Sequence, residues 1–176
     1  MNVPNALSTL RLILVPVFAV VFFSGVPNAH LWAVGIYAAA SLTDILDGYI
    51  ARHCDQITRL GRVLDPLADK LMTFTVITCI TVSGIIPGWA LVVFVCKELA
   101  MLIGGGVMLK RTRDVMPSNR LGKASTVVFF AVCVVLVLFP GIPKHAATGL
   151  ISAALALTIV ALIRYAVEYS RVMKRD

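Results

Sequence analysis

Six apolar runs, each near the length a helix needs to cross a bilayer, take up most of this 176-residue chain. A spanning helix needs about 20 mostly apolar residues, because lipid offers no water to satisfy an open backbone. The runs cover residues 7–24, 31–51, 63–84, 88–109, 124–140 and 146–167. The fifth is short, and Pro140 and Pro143 mark its end. Composition points the same way: 14% of residues are charged and mean hydropathy is +0.92, whereas a soluble domain carries about 25% charged residues. The expected fold is an all-α integral membrane protein, a single domain over 1–176 with six transmembrane helices. The first run is read as a retained span, since no small-residue cleavage site follows it and five more runs do.

The connections alternate in charge. Residues 25–30 and 85–88 contain no Lys or Arg, and 141–145 only Lys144. Residues 52–62 carry Arg52, Arg59 and Arg62; residues 110–123 carry Lys110, Arg111, Arg113, Arg120 and Lys123; the tail carries Arg171, Lys174 and Arg175. Basic loops stay on the cytoplasmic side. Both termini are therefore expected in the cytoplasm, and an even number of spans agrees with their lying on one side. The net charge of +7 is placed for anionic lipid headgroups, not for nucleic acid.

Against this background the stretch DILDGYIARHCDQITRLGRVLDPLADK, residues 44–70, is anomalous. It puts four aspartates, Asp44, Asp47, Asp65 and Asp69, at the cytoplasmic ends of the second and third apolar runs. Ionisable groups at membrane depth are costly and mark functional sites by default. Asp44, Asp47 and Ala51 share one helical face, as do Gly61, Asp65 and Asp69. A short loop makes the two helices antiparallel neighbours, so the two carboxylate pairs face each other. Four like charges in one crevice need a compensating cation. Carboxylate oxygens suit Mg²⁺ or Mn²⁺, and two such ions suit displacement at phosphorus. Gly48, Ala51 and Gly61 leave room for a nucleotide or pyrophosphate beside the carboxylates. For an isolated glycine, close helix packing would be the better account.

The pattern Asp44–x2–Asp47–Gly48–x2–Ala51–Arg52–x8–Gly61–x3–Asp65–x3–Asp69 resembles the motif of the CDP-alcohol phosphotransferases, with no departure in spacing. The resemblance extends to the six-helix layout. It implies transfer of a substituted phosphate from a CDP-linked donor to an alcohol, release of CMP, two divalent metal ions (Mg²⁺ or Mn²⁺) and a homodimer. By the same resemblance Asp44, Asp47, Asp65 and Asp69 would hold the metals, and Asp69 would be the general base. Gly48, Ala51, Arg52 and Gly61 would line the CDP site. The donor's acyl chains would stay in lipid, in a bacterial cell membrane, with the site facing the cytoplasm.

The acceptor is open to several readings. MNVPNALSTLRLILVPVF and LDPLADKLM resemble segments of bacterial phosphatidylglycerophosphate synthases, which use CDP-diacylglycerol and glycerol 3-phosphate. A phosphorylated acceptor needs cations, and Arg113, Arg120 and Lys123, with Arg111, are the candidates. The same residues would serve equally as a positive-inside loop on lipid phosphates. The chain departs from that pattern after the fourth helix, where Lys97–Glu98 stands in place of an Arg-Glu pair and no glutamine follows Lys123. A cardiolipin synthase using phosphatidylglycerol is the leading rival; phosphatidylinositol-phosphate and phosphatidylserine synthases rank below it. The alternative of another class is a small ion-coupled transporter. Related halves or helices broken at mid-membrane would favour it; here the carboxylates cluster at one face and no repeat is visible. A non-catalytic descendant would more readily have lost an aspartate.

Other polar residues receive structural readings. Lys97 and Glu98 are adjacent on a helix and so should face different partners. Gly104, Gly105 and Gly106 would permit close packing or a bend. Asn5, Ser8 and Arg11 suggest an amphipathic start lying along the interface before the first span. Trp32 and Trp89 suit interfacial anchoring, and Arg164 with Glu168 a surface pair. His30, His53 and His145 read as loop residues. Cys54, Cys79, Cys96 and Cys133 lack metal-ligand spacing and read as buried thiols.

Overall fold

The computed structural model describes residues 3–53, 61–112 and 120–172, with side chains for 6–44, 64–104 and 121–167. These residues form six helices and no strand: α1 (Val3–Phe23), α2 (Ala29–His53), α3 (Gly61–Val82), α4 (Gly88–Thr112), α5 (Arg120–Leu138) and α6 (Lys144–Val172). Each helix coincides with one apolar run, with ends displaced by no more than five residues. The larger displacements arise where polar turns continue a helix past its apolar stretch. Among the described residues, Ala6–Phe23, Leu121–Leu138 and Lys144–Val167 are long and apolar enough to cross a membrane. The chain is thus a membrane protein. The other three helices carry ionisable side chains inside their runs: Asp44 on α2, Asp65 and Asp69 on α3, Lys97 and Glu98 on α4.

The apolar helices hold many hydroxyls, and the backbone satisfies them locally. Ser41 donates to the Tyr37 carbonyl, Thr81 to Ile77 and Thr126 to Gly122, at 2.7–3.0 Å. Each hydroxyl is thereby kept from facing hydrocarbon unpaired. The turn between α1 and α2 contains Gly25 and Asn28, both at positive φ (63° and 60°). Asparagine is among the few residues that tolerate this region. The Asn28 carbonyl then accepts from the amides of Leu31 (2.9 Å) and Trp32 (3.1 Å) to begin α2. Pro143 begins α6 in the same way, accepting from Ala146 and Ala147.

Two compact units divide the helices. The first is Met1–Ser83 with Leu136–Gly141; the second is Gly84–Val135 with Ile142–Asp176. In the first, α1 packs extensively on both α2 and α3, which touch one another less. Its buried face is written at helical spacing as Ser8, Arg11, Phe18 and Phe22. On α2 the buried residues Ala33, Tyr37 and Ala40 run at the same spacing toward Asp44; on α3, Ala68, Met72 and Val76 follow Asp65. Phe18 stacks on Phe22 at 5.8 Å and meets the Tyr37 ring edge-on at 6.2 Å. In the second unit α4 packs on α6, and Phe94 stacks on Phe129 at 5.4 Å.

Small buried residues set how closely these helices approach. Ala40 is 1% exposed and lies between Tyr37 and Asp44 on the packed face of α2. Ala40→Leu is expected to push α2 off α1 and to cost about 1–3 kcal/mol, read as a lower unfolding midpoint in detergent.

Several structural readings change. α1 is one helix from Val3, and its Ser8 and Arg11 are buried in the bundle rather than spread along the interface. His30 is not in a loop: it is the second residue of α2, with its ring edge-on to Phe22 at 5.3 Å. His145 lies in the first turn of α6, and His53 closes α2. Cys79 and Cys133 are buried, but Cys96 is exposed. Close packing is not found at Gly104: α4 runs through it, and a Cβ there would meet nothing within 4 Å. Trp32 and Trp89 are exposed in the first turns of α2 and α4, as interfacial anchors require. Cys54 and the side chains of Asn5, Gly105, Gly106 and Glu168 lie outside the described residues.

Candidate active site

The acidic site is built where the packed faces of α1, α2 and α3 turn from apolar to polar. Phe18 and Phe22 give way to Arg11 and Ser8 on α1; Tyr37 and Ala40 give way to Asp44 on α2. Asp65 and Asp69 stand a turn apart near the start of α3, both half-buried.

Arg11 is the centre of the arrangement. It is 1% exposed, and its Nη1 donates to Asp44 Oδ1 at 2.7 Å. The same nitrogen approaches the backbone carbonyl of Asp65 at 3.5 Å. One guanidinium thus reaches both carboxylate-bearing helices. Ser8, fully buried one turn earlier on α1, donates its hydroxyl to Asp65 Oδ1. Asp44 keeps 43% of its side chain exposed, so it is gripped on one side and open on the other. Behind Asp69, Thr73 donates to the Asp69 carbonyl at 3.1 Å.

Of the carboxylates expected to converge, Asp44 and Asp65 do so, both on α1. The backbone of Asp47, Gly48, Ala51 and Arg52 belongs to α2, and Gly61 opens α3; the side-chain environment at these positions lies outside the described residues. Arg113 lies outside them as well. Arg111 ends in the last turn of α4 and Arg120 opens α5, their side chains undescribed. Lys123 is exposed in the first turn of α5 and belongs to the second unit.

The donors at the acidic site are carboxylate oxygens, the chemistry that hard divalent cations favour. Among the described residues no three His, Cys, Asp or Glu side chains form a closed ligand set; the Asp47 side chain is not among those described. Arg11 shows that a positive charge is accommodated between Asp44 and the start of α3; its contact with Asp44 and that of Ser8 with Asp65 each engage an Oδ1. The residues present fit a divalent cation in donor type and in charge.

Lys97 and Glu98 behave differently from expectation. They pair with each other, and Lys97 Nζ also lies over the Phe94 ring, 5.3 Å from its centroid. Adjacent positions diverge on a helix, but four methylenes let lysine curl back to its neighbour. The pair belongs to the second unit.

Ser8 and Arg11 are the residues that sequence reasoning assigned elsewhere. Their signal was present: they share helical spacing with Phe18 and Phe22, so a polar pair extends an apolar packing face.

Comparison with known proteins places the chain. It is 32% identical to the CDP-diacylglycerol–glycerol-3-phosphate 3-phosphatidyltransferase of Bacillus subtilis (strain 168), covering 71% of this chain and 70% of that protein. It is 32% identical to a probable phosphatidylglycerophosphate synthase of Mycobacterium tuberculosis, covering 93% of this chain and 79% of that protein. A CMP-forming cardiolipin synthase of Streptomyces coelicolor is 35% identical over 72% of this chain, which spans 60% of that protein's length. The profile of the CDP-alcohol phosphatidyltransferases matches residues 1–163, and the chain belongs to that family.

Proposed function

We propose that the protein transfers the phosphatidyl group of CDP-diacylglycerol to glycerol 3-phosphate, giving phosphatidylglycerophosphate and CMP. The observation that carries the reading is the gathering of Asp44 and Asp65 on α1 in a chain of this family. The choice of acceptor is supported by the relative covering 93% of the chain, a probable phosphatidylglycerophosphate synthase.

In this reading Asp44, Asp47, Asp65 and Asp69 hold two Mg²⁺ or Mn²⁺ ions. Bound there, the ions would neutralise the donor's pyrophosphate and stabilise CMP as it leaves. Gly48, Ala51, Arg52 and Gly61 line the CDP moiety. Asp69 takes the proton from the acceptor hydroxyl as that oxygen attacks the phosphatidyl phosphorus and the bond to CMP breaks. The half-buried helical setting of Asp69 holds the base in one place, which is the main demand of an in-line displacement between two substrates. Arg113, Arg120 and Lys123 supply the cations that a phosphorylated acceptor requires. The chain acts as one six-span domain and as a homodimer, with both termini and the site on the cytoplasmic side. The alternation of basic and uncharged connections supports that orientation.

A second reading, a cardiolipin synthase with phosphatidylglycerol as acceptor, is favoured by the Streptomyces relative. An acceptor screen separates the two. Purified protein is given CDP-diacylglycerol, Mg²⁺ or Mn²⁺, and glycerol 3-phosphate, phosphatidylglycerol, inositol phosphate or serine alone. CMP release with glycerol 3-phosphate only is the expected result. Release with phosphatidylglycerol only would establish the second reading and return the basic loop to lipid contact.

A further inference from the structure

We infer that Arg11 and Ser8 are positioning residues of the acidic site: from α1 they each hold one oxygen of a carboxylate and so orient Asp44 and Asp65 toward a shared divalent cation. The inference rests on the metal reading proposed above.

Burial comes first. Ser8 is 0% and Arg11 1% exposed, on a helix face otherwise made of Phe18 and Phe22. A guanidinium withdrawn from solvent carries a desolvation cost, and well-packed apolar residues are commonly as stable or more so at such a position. Stability alone therefore does not account for an arginine there. Its geometry does: Nη1 lies 2.7 Å from Asp44 Oδ1 on α2 and 3.5 Å from the Asp65 carbonyl on α3. Ser8 fixes the Asp65 carboxylate itself. Since, among the described residues, α2 and α3 touch each other less than either touches α1, α1 links the two carboxylates. Outer partners that orient metal-binding carboxylates typically contribute about 10–100-fold in metal affinity.

The opposite sign is also physically available. A guanidinium on Asp44 repels an incoming cation, so an arginine that merely competed would weaken metal binding. The two roles give opposite results in one experiment. Mn²⁺ binding to the purified full chain is titrated by electron paramagnetic resonance, with helicity checked by circular dichroism. Arg11→Ala and Ser8→Ala are each expected to bind Mn²⁺ about 10–100-fold more weakly than the unaltered chain. Arg11→Lys should fall between, because an ammonium keeps the charge but lacks the planar fork. Arg11→Ala that binds Mn²⁺ equally or more tightly would overturn the inference. Should Arg11→Ala fail to fold, Ser8→Ala decides alone, since it removes one hydroxyl and no charge: weaker binding supports the inference and unchanged binding overturns it. An unaltered chain that releases CMP yet binds no Mn²⁺ would overturn the metal reading and this inference with it. Normal binding by the unaltered chain and by all three variants would overturn the inference alone.

Discussion

Asp69→Asn is expected to lower CMP release by about 10²–10⁴-fold, the usual contribution of a positioned general base, while metal-dependent binding of CDP-diacylglycerol persists. Asparagine has nearly the shape of aspartate and still offers a carbonyl oxygen, but it does not take up the acceptor's proton at neutral pH. The substitution lies inside α3, one turn after Asp65, so the helix and the grip of Ser8 on Asp65 are left in place. Single-turnover release of CMP, set beside equilibrium binding of the donor, separates chemistry from binding. Normal turnover would move the base elsewhere. Loss of donor binding in parallel with turnover would leave Asp69 its ligand role alone and move the base elsewhere.

Asp65→Ala is expected to weaken Mn²⁺ binding by more than about 100-fold, because loss of a ligand should exceed the loss of a partner that only orients one. It also removes one acceptor of the buried Ser8 hydroxyl, and losing a hydrogen bond costs about 0.5–1.5 kcal/mol. The variant should therefore combine a lower unfolding midpoint with the loss of metal. Asp65→Asn separates the two effects: its amide oxygen can still accept from Ser8, so stability should recover while Mn²⁺ affinity stays low. Recovery of both would mean that Asp65 serves the packing of α1 on α3 and not a cation.

Much of this could be read from the sequence because the membrane imposes simple rules. Twenty apolar residues in a row leave helix as the only open choice, and the six helices lie where the six runs lie. The aspartates stood out because charge is expensive in such runs. What escaped was the partnership between helices. Polar residues at the start of α1 were as compatible with an interfacial helix as with a buried one; spacing to Phe18 and Phe22 was the distinguishing signal, and it acquires meaning only once that face is known to pack. Likewise the short loop between α2 and α3 predicted a neighbouring pair, but nothing in either helix announced that α1 would lie against both. The Lys97–Glu98 contact escaped because backbone direction was used to judge a side chain long enough to fold back on its own helix.

Metal-dependent phosphatidyl transfer is tested by giving the purified chain, in liposomes carrying CDP-diacylglycerol, glycerol 3-phosphate with Mg²⁺ or Mn²⁺, and measuring CMP and lipid product by mass spectrometry before and after chelation. CMP and phosphatidylglycerophosphate are expected in equal amounts, ceasing with EDTA and returning when metal is restored. Equal release of CMP with and without divalent metal, or no phosphatidyl product from any alcohol in protein that binds the donor, would contradict it.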